Sequence, residues 1–453
     1  MSGRGCQNNS SFGSQQTGSP TMTCRCLLSS LAALSLVGAL TSAAAADTDF
    51  SVSGFGTLGY ARSDQPYGYQ RFIDDRGTLQ RDSVAGLQVD ARFGGGFGAT
   101  AQVKAAARTD RDTGYEASIA WAFLSYRPSN DWLFRLGKQR IPLYLNSQNY
   151  DVGATFDFAR LPTEMYSITP SNDAIGLSFT RTWRIDESEV AVDGYWGEST
   201  NDYRVWLRDA IPGVQASGPV FAELKLRGGG LILTYKAPQL ALRFGVHRAL
   251  AWRRDRQPLA LHFPFVSLGP GVGYYQVDPS LPGPGVALAD GVTNTTITLG
   301  AEFALPADIR IVTEFASSKV PDSDIAPQGA RGYVGVLKTI DKWTPYVTYA
   351  FLRSPSSQRA LYNAVNGNTV PAAVPGAAVV NASQRAGADQ VQTSEQHSWA
   401  IGSSYSFSAT SKLKFEYQVT RIGDSSRLVD APPASDVRNT RIGVFSISYS
   451  VVF

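Results

Sequence analysis

The sequence predicts an all-β fold, a transmembrane antiparallel β-barrel of about 16 strands. Three observations support this prediction. Segments of about 8 to 13 residues alternate apolar and polar side chains, which is the period of a strand with two different faces. The connections between these segments are alternately short and long. After the N-terminal region, no segment is apolar for long enough to be a transmembrane helix, and none shows a helical pattern.

The first 46 residues differ in composition from the rest of the chain. Arg25 precedes an apolar run from Leu27 to Leu40, and four alanines follow at 43–46. A basic residue, an apolar run and small residues in this order are typical of a secretory signal peptide. We therefore divide the chain into an upstream mis-start over 1–21, a signal peptide over 22–46 and a single barrel domain over 47–453.

The exported part of the chain is free of cysteine and almost neutral. Cys6, Cys24 and Cys26 all precede residue 47, which excludes disulfides, thiolate metal sites and cysteine nucleophiles from the exported chain. Without Arg4 and Arg25, 39 basic residues stand against 38 acidic ones. This balance argues against nucleic acid as a partner.

The strands can be followed by their two faces. In residues 83–93, Leu87 and Val89 alternate with Gln88 and Asp90, and the segment that ends at Phe453 alternates large apolar residues with serines. A soluble β-sandwich would bury the apolar faces, whereas a membrane barrel turns them to lipid and leaves no unpaired edge. The number of strands and the export signal favour the barrel.

The connections give the strand count and the orientation. Seven turns and eight loops join sixteen strands, with short turns on the periplasmic side and long loops on the extracellular side, as in bacterial outer-membrane barrels. A barrel of this size can hold an aqueous channel. The turns are 94–96, 128–131, 185–188, 237–239, 306–308, 340–342 and 408–411, and the loops are 61–82, 109–116, 139–173, 198–229, 249–292, 318–330, 354–395 and 422–437.

With sixteen strands, the chain resembles the trimeric general diffusion porins of Gram-negative outer membranes over nearly all of residues 47–453. Trp132 to Arg140, WLFRLGKQR, is similar to the fifth strand of that family, which leads into the loop that folds into the pore. Lys138 stands where the family usually has arginine, and the loop that follows departs from the family's patterns. Ion selectivity is therefore not carried over.

The resemblance implies a function and partners. It implies an outer-membrane channel for the passive diffusion of ions and small hydrophilic solutes, with no enzymatic activity, no cofactor and no metal. It also implies a homotrimer in contact with outer-membrane lipid and lipopolysaccharide. The terminal Phe453 is similar to the closing aromatic of the family and implies recognition by the barrel-assembly machinery.

The third loop, 139–173, is long enough to fold back and narrow the channel. It carries acidic and basic side chains, and basic residues on inward strand positions can face it across the lumen; opposed charges of this kind create a transverse field. The alternative is that the carboxylates pair with arginines only to hold the loop down. The predicted pore constriction consists of Asp151, Asp157, Arg160, Glu164, Asp173, Arg92, Lys104 and Arg135. Four further basic residues lie far from the loop in sequence and are left out of this set: Arg243, Arg310, Lys338 and Lys414.

Outward positions of the first strands are unusually small, and small residues let two backbones approach. We predict a subunit interface there, at Gly54, Gly56, Ala99 and Ala101. The alternative is that a barrel wall simply tolerates glycine and alanine.

Three other functions stay open. A barrel-housed enzyme needs a nucleophile with a base, and none of the three histidines, His247, His262 and His397, lies in such a setting or at ligand spacing for a metal. A substrate-selective uptake channel for anions or organic acids would bind its solute in the lumen. An adhesin or receptor would act through the long loops 249–292 and 354–395, which are rich in Pro, Gly and Ala.

Overall fold

The computed structural model describes residues 48–167 and 173–453, and the predicted signal peptide lies outside the described residues. Sixteen long strands form one closed antiparallel barrel, in which each strand pairs with the next and the last strand pairs with the first. The predicted fold class and strand number are confirmed. Closure pairs the backbone along the wall and leaves no free sheet edge.

The barrel strands are β1 to β9 and β14 to β20, and four short strands between them form two separate two-stranded sheets. The barrel strands are β1 Asp49–Ser63, β2 Val84–Arg92, β3 Phe97–Ala107, β4 Tyr115–Ser129, β5 Trp132–Arg140, β6 Asp173–Ile185, β7 Ser188–Leu207, β8 Gly218–Ala237, β9 Leu240–Arg253, β14 Val292–Leu305, β15 Ile309–Lys319, β16 Gly329–Lys338, β17 Trp343–Arg353, β18 Ser394–Ser408, β19 Ser411–Ser426 and β20 Arg441–Val452. The short strands are β10 Leu259–His262, β11 Phe265–Gly269, β12 Val272–Tyr275 and β13 Ala287–Ala289.

All seven short turns lie where the sequence predicts them. Their residues suit the backbone that a tight reversal needs: Gly96 has φ +82°, and Asp186, Asp308 and Asp341 also have positive φ. Glycine and aspartate adopt this left-handed region more readily than other residues do. At Gly96 a Cβ would also overlap the backbone carbonyl of Arg127, so only glycine fits there.

The eight long connections are L1 to L8, and several contain more structure than predicted. Residues 198–229 are mostly strand, because β7 and β8 continue as a hairpin and leave only 208–217 as L4. The prediction of a long loop there was wrong. Beyond the bilayer the outer face of a strand meets water, so the apolar side that marks a lipid-facing strand is missing. The loops are L1 64–83, L2 108–114, L3 141–172, L4 208–217, L5 254–291, L6 320–328, L7 354–393 and L8 427–440.

L7 contains two helices, α2 Ser356–Gly367 and α3 Ala377–Gln390, and a one-turn helix in L3 is α1 Thr163–Tyr166. The expectation of no helical stretch was therefore wrong. In α2, Gln358, Tyr362 and Val365 are buried at helical spacing, a pattern that the sequence contains. The two L7 helices, α2 and α3, pack with residues of L5 and L6 in one apolar cluster.

The two faces of the wall follow the predicted alternation. On β19, Tyr417 points outward and is 46% exposed, whereas Lys414, Glu416 and Gln418 on the other face are buried. Large apolar side chains are exposed around the outside, as a surface in contact with lipid requires. Among the described residues, no helix is long and apolar enough to cross a membrane.

Candidate functional site: the lumen and its third loop

L3 lies inside the barrel, and apolar contacts hold its described part, 141–167, against β15, β16 and β17. Phe158 and Met165 are almost fully buried there. The ring of Phe158 meets the rings of Tyr333 and Tyr346 edge-on, with centroids 6.2 and 5.1 Å apart. Four of the inward positions that receive L3 are apolar, which is unusual for the inner face of an aqueous barrel: Val312, Ala316, Leu337 and Ala350.

Asp151 joins L3 to the strands on the side where the loop begins. Its carboxylate lies 3.0 Å from Nζ of Lys104 on β3 and 2.6 Å from a guanidinium nitrogen of Arg140 on β5. Arg140 also lies 2.9 Å from Asp173 at the start of β6. These four charges form one network, in which Arg140 is a member that the predicted set omits.

Asp157 joins L3 to the opposite part of the ring. Its carboxylate accepts hydrogen bonds from Lys412 Nζ at 2.7 Å and from the Ser404 hydroxyl at 2.9 Å, and it pairs with Arg310. Burial alone would raise the pKa of Asp157, but the Lys412 ammonium and the Arg310 guanidinium hold it below its usual value. The carboxylate therefore stays charged at neutral pH.

Arg160 and Glu164 are also bound to the wall. Arg160 makes two hydrogen bonds to the Asp82 carboxylate at the end of L1 and donates to the Ser446 hydroxyl at 3.1 Å. Glu164 is fully buried in α1 and accepts a hydrogen bond from Gln396 at 2.9 Å. Burial raises the pKa of Glu164 above its usual value, although the hydrogen bond from Gln396 acts in the opposite direction.

Arg92 and Arg135 lie apart from this network. Arg92 is beside the turn at 94–96, 79% exposed, and its nearest carboxylate is Asp49 at 3.9 Å. The guanidinium of Arg135 points inward from β5 and lies 5.5 Å from the ring centre of Phe123. The structure thus brings six of the eight predicted residues to L3 or its partners and leaves these two elsewhere.

Three of the four basic residues left out of the predicted set contact L3. Arg243 donates to the Pro142 carbonyl at 2.6 Å, and Lys414 donates to the Phe158 carbonyl at 3.1 Å. Arg310 pairs with Asp157, whereas Lys338 lies on the outer face of β16. The inward parity of the three was visible in the sequence; distance along the chain hid them, because barrel closure brings distant strands to one lumen.

L3 is held on several sides of the lumen at once. The backbone N–H of Leu145 donates to Glu314 on β15 at 2.7 Å, and the Tyr144 hydroxyl accepts from Arg331 on β16 at 2.8 Å. Gly153 lies so close to Thr57 on β1 and Ser450 on β20 that a Cβ would overlap their hydroxyls. L3 therefore crosses the lumen and narrows it.

Above L3, towards the long loops, lies a cavity of about 1020 Å³. Its lining includes eleven arginine and lysine residues and four aspartates. Three of the aspartates are already paired with bases: Asp82 with Arg160, Asp151 with Lys104 and Asp430 with Arg204. Three of the bases pair with aspartates that do not line the cavity: Arg71 with Asp112, Arg108 with Asp110 and Arg253 with Asp255. The bases still outnumber all of these acids, so the cavity is a positively charged compartment.

A closed barrel of sixteen strands with an apolar outer belt, a largely polar inner face and an inserted loop is the architecture of an outer-membrane β-barrel. The chain is similar to outer-membrane porins of known structure. The fold is assigned from the pairing of the sixteen strands in the structure itself.

No sequence-family model matches the chain, and no curated protein matches it. The similar solved structures include the outer-membrane-expressed OmpT of Vibrio cholerae, at 14% identity and a TM-score of 0.48, covering 89% of this chain and 98% of that one. An anion-selective porin from Comamonas acidovorans has 11% identity and a TM-score of 0.46, covering 90% and 100%. Salmonella typhi OmpF, in complex with daunomycin, has 12% identity and a TM-score of 0.47, covering 88% and 97%.

Proposed function

We propose that this chain is an outer-membrane porin, a non-catalytic channel for the passive diffusion of ions and small hydrophilic solutes. The observation that carries the proposal is the course of L3, which crosses the lumen of a membrane-type barrel and is bound by charged residues on both sides. Such a loop sets the width of the passage and places charge along it. The channel lies in the Gram-negative outer membrane, in contact with lipid and lipopolysaccharide, after export and barrel assembly that reads Phe453.

Planar-bilayer recording tests this function. We expect single-channel conductance that is small for a 16-stranded barrel, because L3 occupies much of the lumen. In a salt gradient we expect a reversal potential of the sign for anion preference, because the eleven bases of the cavity outnumber its four aspartates together with Asp110, Asp112 and Asp255, which pair with three of the bases. Absence of conductance from correctly folded protein would refute the proposed function.

A substrate-selective uptake channel for organic anions is the second candidate, and the basic cavity above L3 favours it. A solute that binds there would make the conductance of its salt saturate at low concentration. A conductance that rises linearly with salt, without saturation, favours general diffusion instead.

We further propose that the channel is a homotrimer whose interface includes Gly54, Gly56, Ala99 and Ala101. The ring of Phe453 lies over Gly54, so this residue contributes to the interface through that ring. Ala101 is exposed and pairs with Val89 on β2 and Ala122 on β4. Because these side chains are small, the backbone of another subunit can approach the outer surface of β2 to β4 closely.

Leucine at Ala99 and Ala101 tests the interface. We expect the double variant to run as a monomer on native gels and to have one third of the wild-type mass by light scattering. The matched control is Ala301→Leu, at an outward position of β14, which should leave the oligomer intact. A double variant that stays trimeric would rule out an interface at these residues.

A further inference from the structure

The cavity above L3 has one wall that is unusually apolar for the lumen of a channel. On the upper part of β8, Ala222, Leu224 and Leu226 line the cavity, whereas the alternate residues, Glu223 and Arg227 among them, lie on the outer face. Outside, Arg227 pairs with Glu198 at 2.6 Å and Glu223 with Arg254 at 2.7 Å, both in solvent-exposed contacts.

The outer face of β8 differs from this in the membrane part of the same strand. Below the glycines 228–230, the outward residues Leu231 and Leu233 are apolar and exposed, and the inward residues are Ile232 and Thr234. Where the strand leaves the bilayer, its outer face therefore changes from apolar to charged, whereas its lumen face stays largely apolar. A strand outside the membrane needs no apolar lumen face to stay in place, since both of its faces are free to be polar.

Neighbouring segments extend the apolar wall in part, since Ser199 and Asn201 on β7 and Arg253 on β9 line the same cavity. Val220 and Val205 face each other across the β7–β8 pair, and Ala249 and Ala251 on β9 continue the surface into the cavity. Leu259 and Ala260 of L5 also line it. Aliphatic side chains that face a water-accessible cavity offer a favourable contact to the apolar part of a solute.

The basic side of the cavity belongs to other parts of the ring. Arg81 precedes β2 and Arg427 follows β19, each about half a turn of the barrel from β8. Arg331 on β16 is only 5% exposed, and its hydrogen bonds go to the hydroxyls of Tyr144 and Ser318. A buried guanidinium bound only to neutral groups is electrostatically uncompensated, and an anion compensates it.

Arg81 and Arg427 add to this positive field. Arg81 donates to the Ser167 hydroxyl at 3.1 Å, and its buried Nε has no hydrogen-bond partner among the described residues. Burial, together with the charge of Arg331, lowers the pKa of Arg427 to about 10. At neutral pH Arg427 is therefore still charged.

From these two walls we propose that the cavity binds amphipathic organic anions, with the carboxylate at Arg81, Arg331 and Arg427 and the hydrocarbon part on the wall formed by β7, β8 and β9. This inference rests on the proposed channel function and names the class of solute. The cavity volume of about 1020 Å³ is ample for a small carboxylic acid with a ring or a short chain.

Four probes that share parts of one shape test the proposal: cyclohexanecarboxylate, cyclohexylmethylammonium, cyclohexylmethanol and acetate. Each is added on the long-loop side of single channels in a planar bilayer, and occlusion of the ionic current is titrated. We expect cyclohexanecarboxylate to occlude at concentrations at least ~10-fold lower than acetate, because the ring covers apolar wall. The ammonium and the alcohol should not occlude in the same range.

Two variants locate the two ends of the site. Arg81→Gln should weaken occlusion by cyclohexanecarboxylate about tenfold through loss of a charged contact, and Arg227→Ala on the outer face should not. Leu224→Gln should reduce the advantage of cyclohexanecarboxylate over acetate, whereas Val214→Gln at the exposed tip of L4 should leave it unchanged. Wild-type migration of the unheated barrel and the wild-type oligomer on native gels show that each variant is folded.

The outcomes separate the inference from the channel function. If acetate and cyclohexanecarboxylate occlude equally, the apolar wall does not bind the ring and the inference is overturned. If cyclohexylmethylammonium occludes as well as cyclohexanecarboxylate, the arginines do not select for the anion and the inference is overturned as well. An open channel that no probe occludes overturns the inference and leaves the channel intact. A folded protein that never conducts refutes the channel function instead.

Discussion

Asp157→Asn should loosen L3 without changing its shape. The substitution keeps the hydrogen-bonding geometry but removes the charge that Lys412 and Arg310 share. Loss of a charge-assisted contact of this kind costs about 2 kcal/mol, a value at the lower end because Arg310 is 39% exposed and partly hydrated. A change of about 2 kcal/mol raises the undocked population of L3 roughly 30-fold.

Single-channel recording measures this population as brief steps to higher conductance. We expect such steps to be about 30 times more frequent in Asp157→Asn than in wild type. The control Asp290→Asn changes an exposed carboxylate in L5 and should leave the trace unchanged. Adding Lys412→Met should bring the frequency partly back, because an unpaired buried ammonium is costlier than an apolar side chain. A folded Asp157→Asn channel with a wild-type trace would refute the role of this ion pair.

Three further predictions concern pH, barrel closure and the loops. The pKa of Asp157 is lowered in the folded protein, so its stabilisation of docked L3 is complete above the unfolded pKa of ~3.9 and is lost as the pH falls through the lower folded value. Steps to higher conductance should therefore become frequent below about pH 4 in wild type, and Asp157→Asn should lack this component. Gly54→Leu should weaken the closure of the barrel between its first and last strands. Gly54 exchanges backbone hydrogen bonds with Phe453 at 2.8 and 3.0 Å, and the phenylalanine ring covers its Cα, so a leucine side chain would displace that ring. On heated gels, this variant should begin to unfold at a lower temperature than the control Gly56→Ala. Arg208→Ala leaves the buried Asp389 without the guanidinium that lies 2.5 Å from it. Limited proteolysis should therefore cut L7 at least several-fold faster in this variant than in the control Arg254→Ala, which removes a solvent-exposed ion pair. Equal rates of cleavage would show that the Arg208–Asp389 pair does not hold L7.

The wall of the barrel could be read from the sequence because lipid imposes a simple rule on it. Each strand in the bilayer must turn apolar side chains outward, and each short turn needs residues that accept a tight reversal, such as Gly96 and Asp308. The rule fails where the bilayer ends. There β7 and β8 continue as strands with a different polarity, and the helices of L7 form around their own apolar cluster.

The position of L3 and the charges on it could also be predicted, since a long loop after β5 with three acidic residues, and a fourth at Asp173 where β6 begins, is a local feature. Which bases receive those acids is decided by closure of the barrel. Asp157 meets Arg310 and Lys412, which are 153 and 255 residues away along the chain, and Arg160 meets Asp82 and Ser446.

The cavity above L3 depends on tertiary structure for the same reason. Alternation in β8 is visible in the sequence, but it does not say which face meets solvent once the strand has left the membrane. Closure of the sixteen strands into one ring is what places Leu224 on the lumen side of the wall. The same closure brings Arg331 and Arg81 to the cavity that Leu224 lines. An alternation of period two in the sequence determines that the two faces of a strand differ. The packing of segments that are distant in sequence determines what each face contacts.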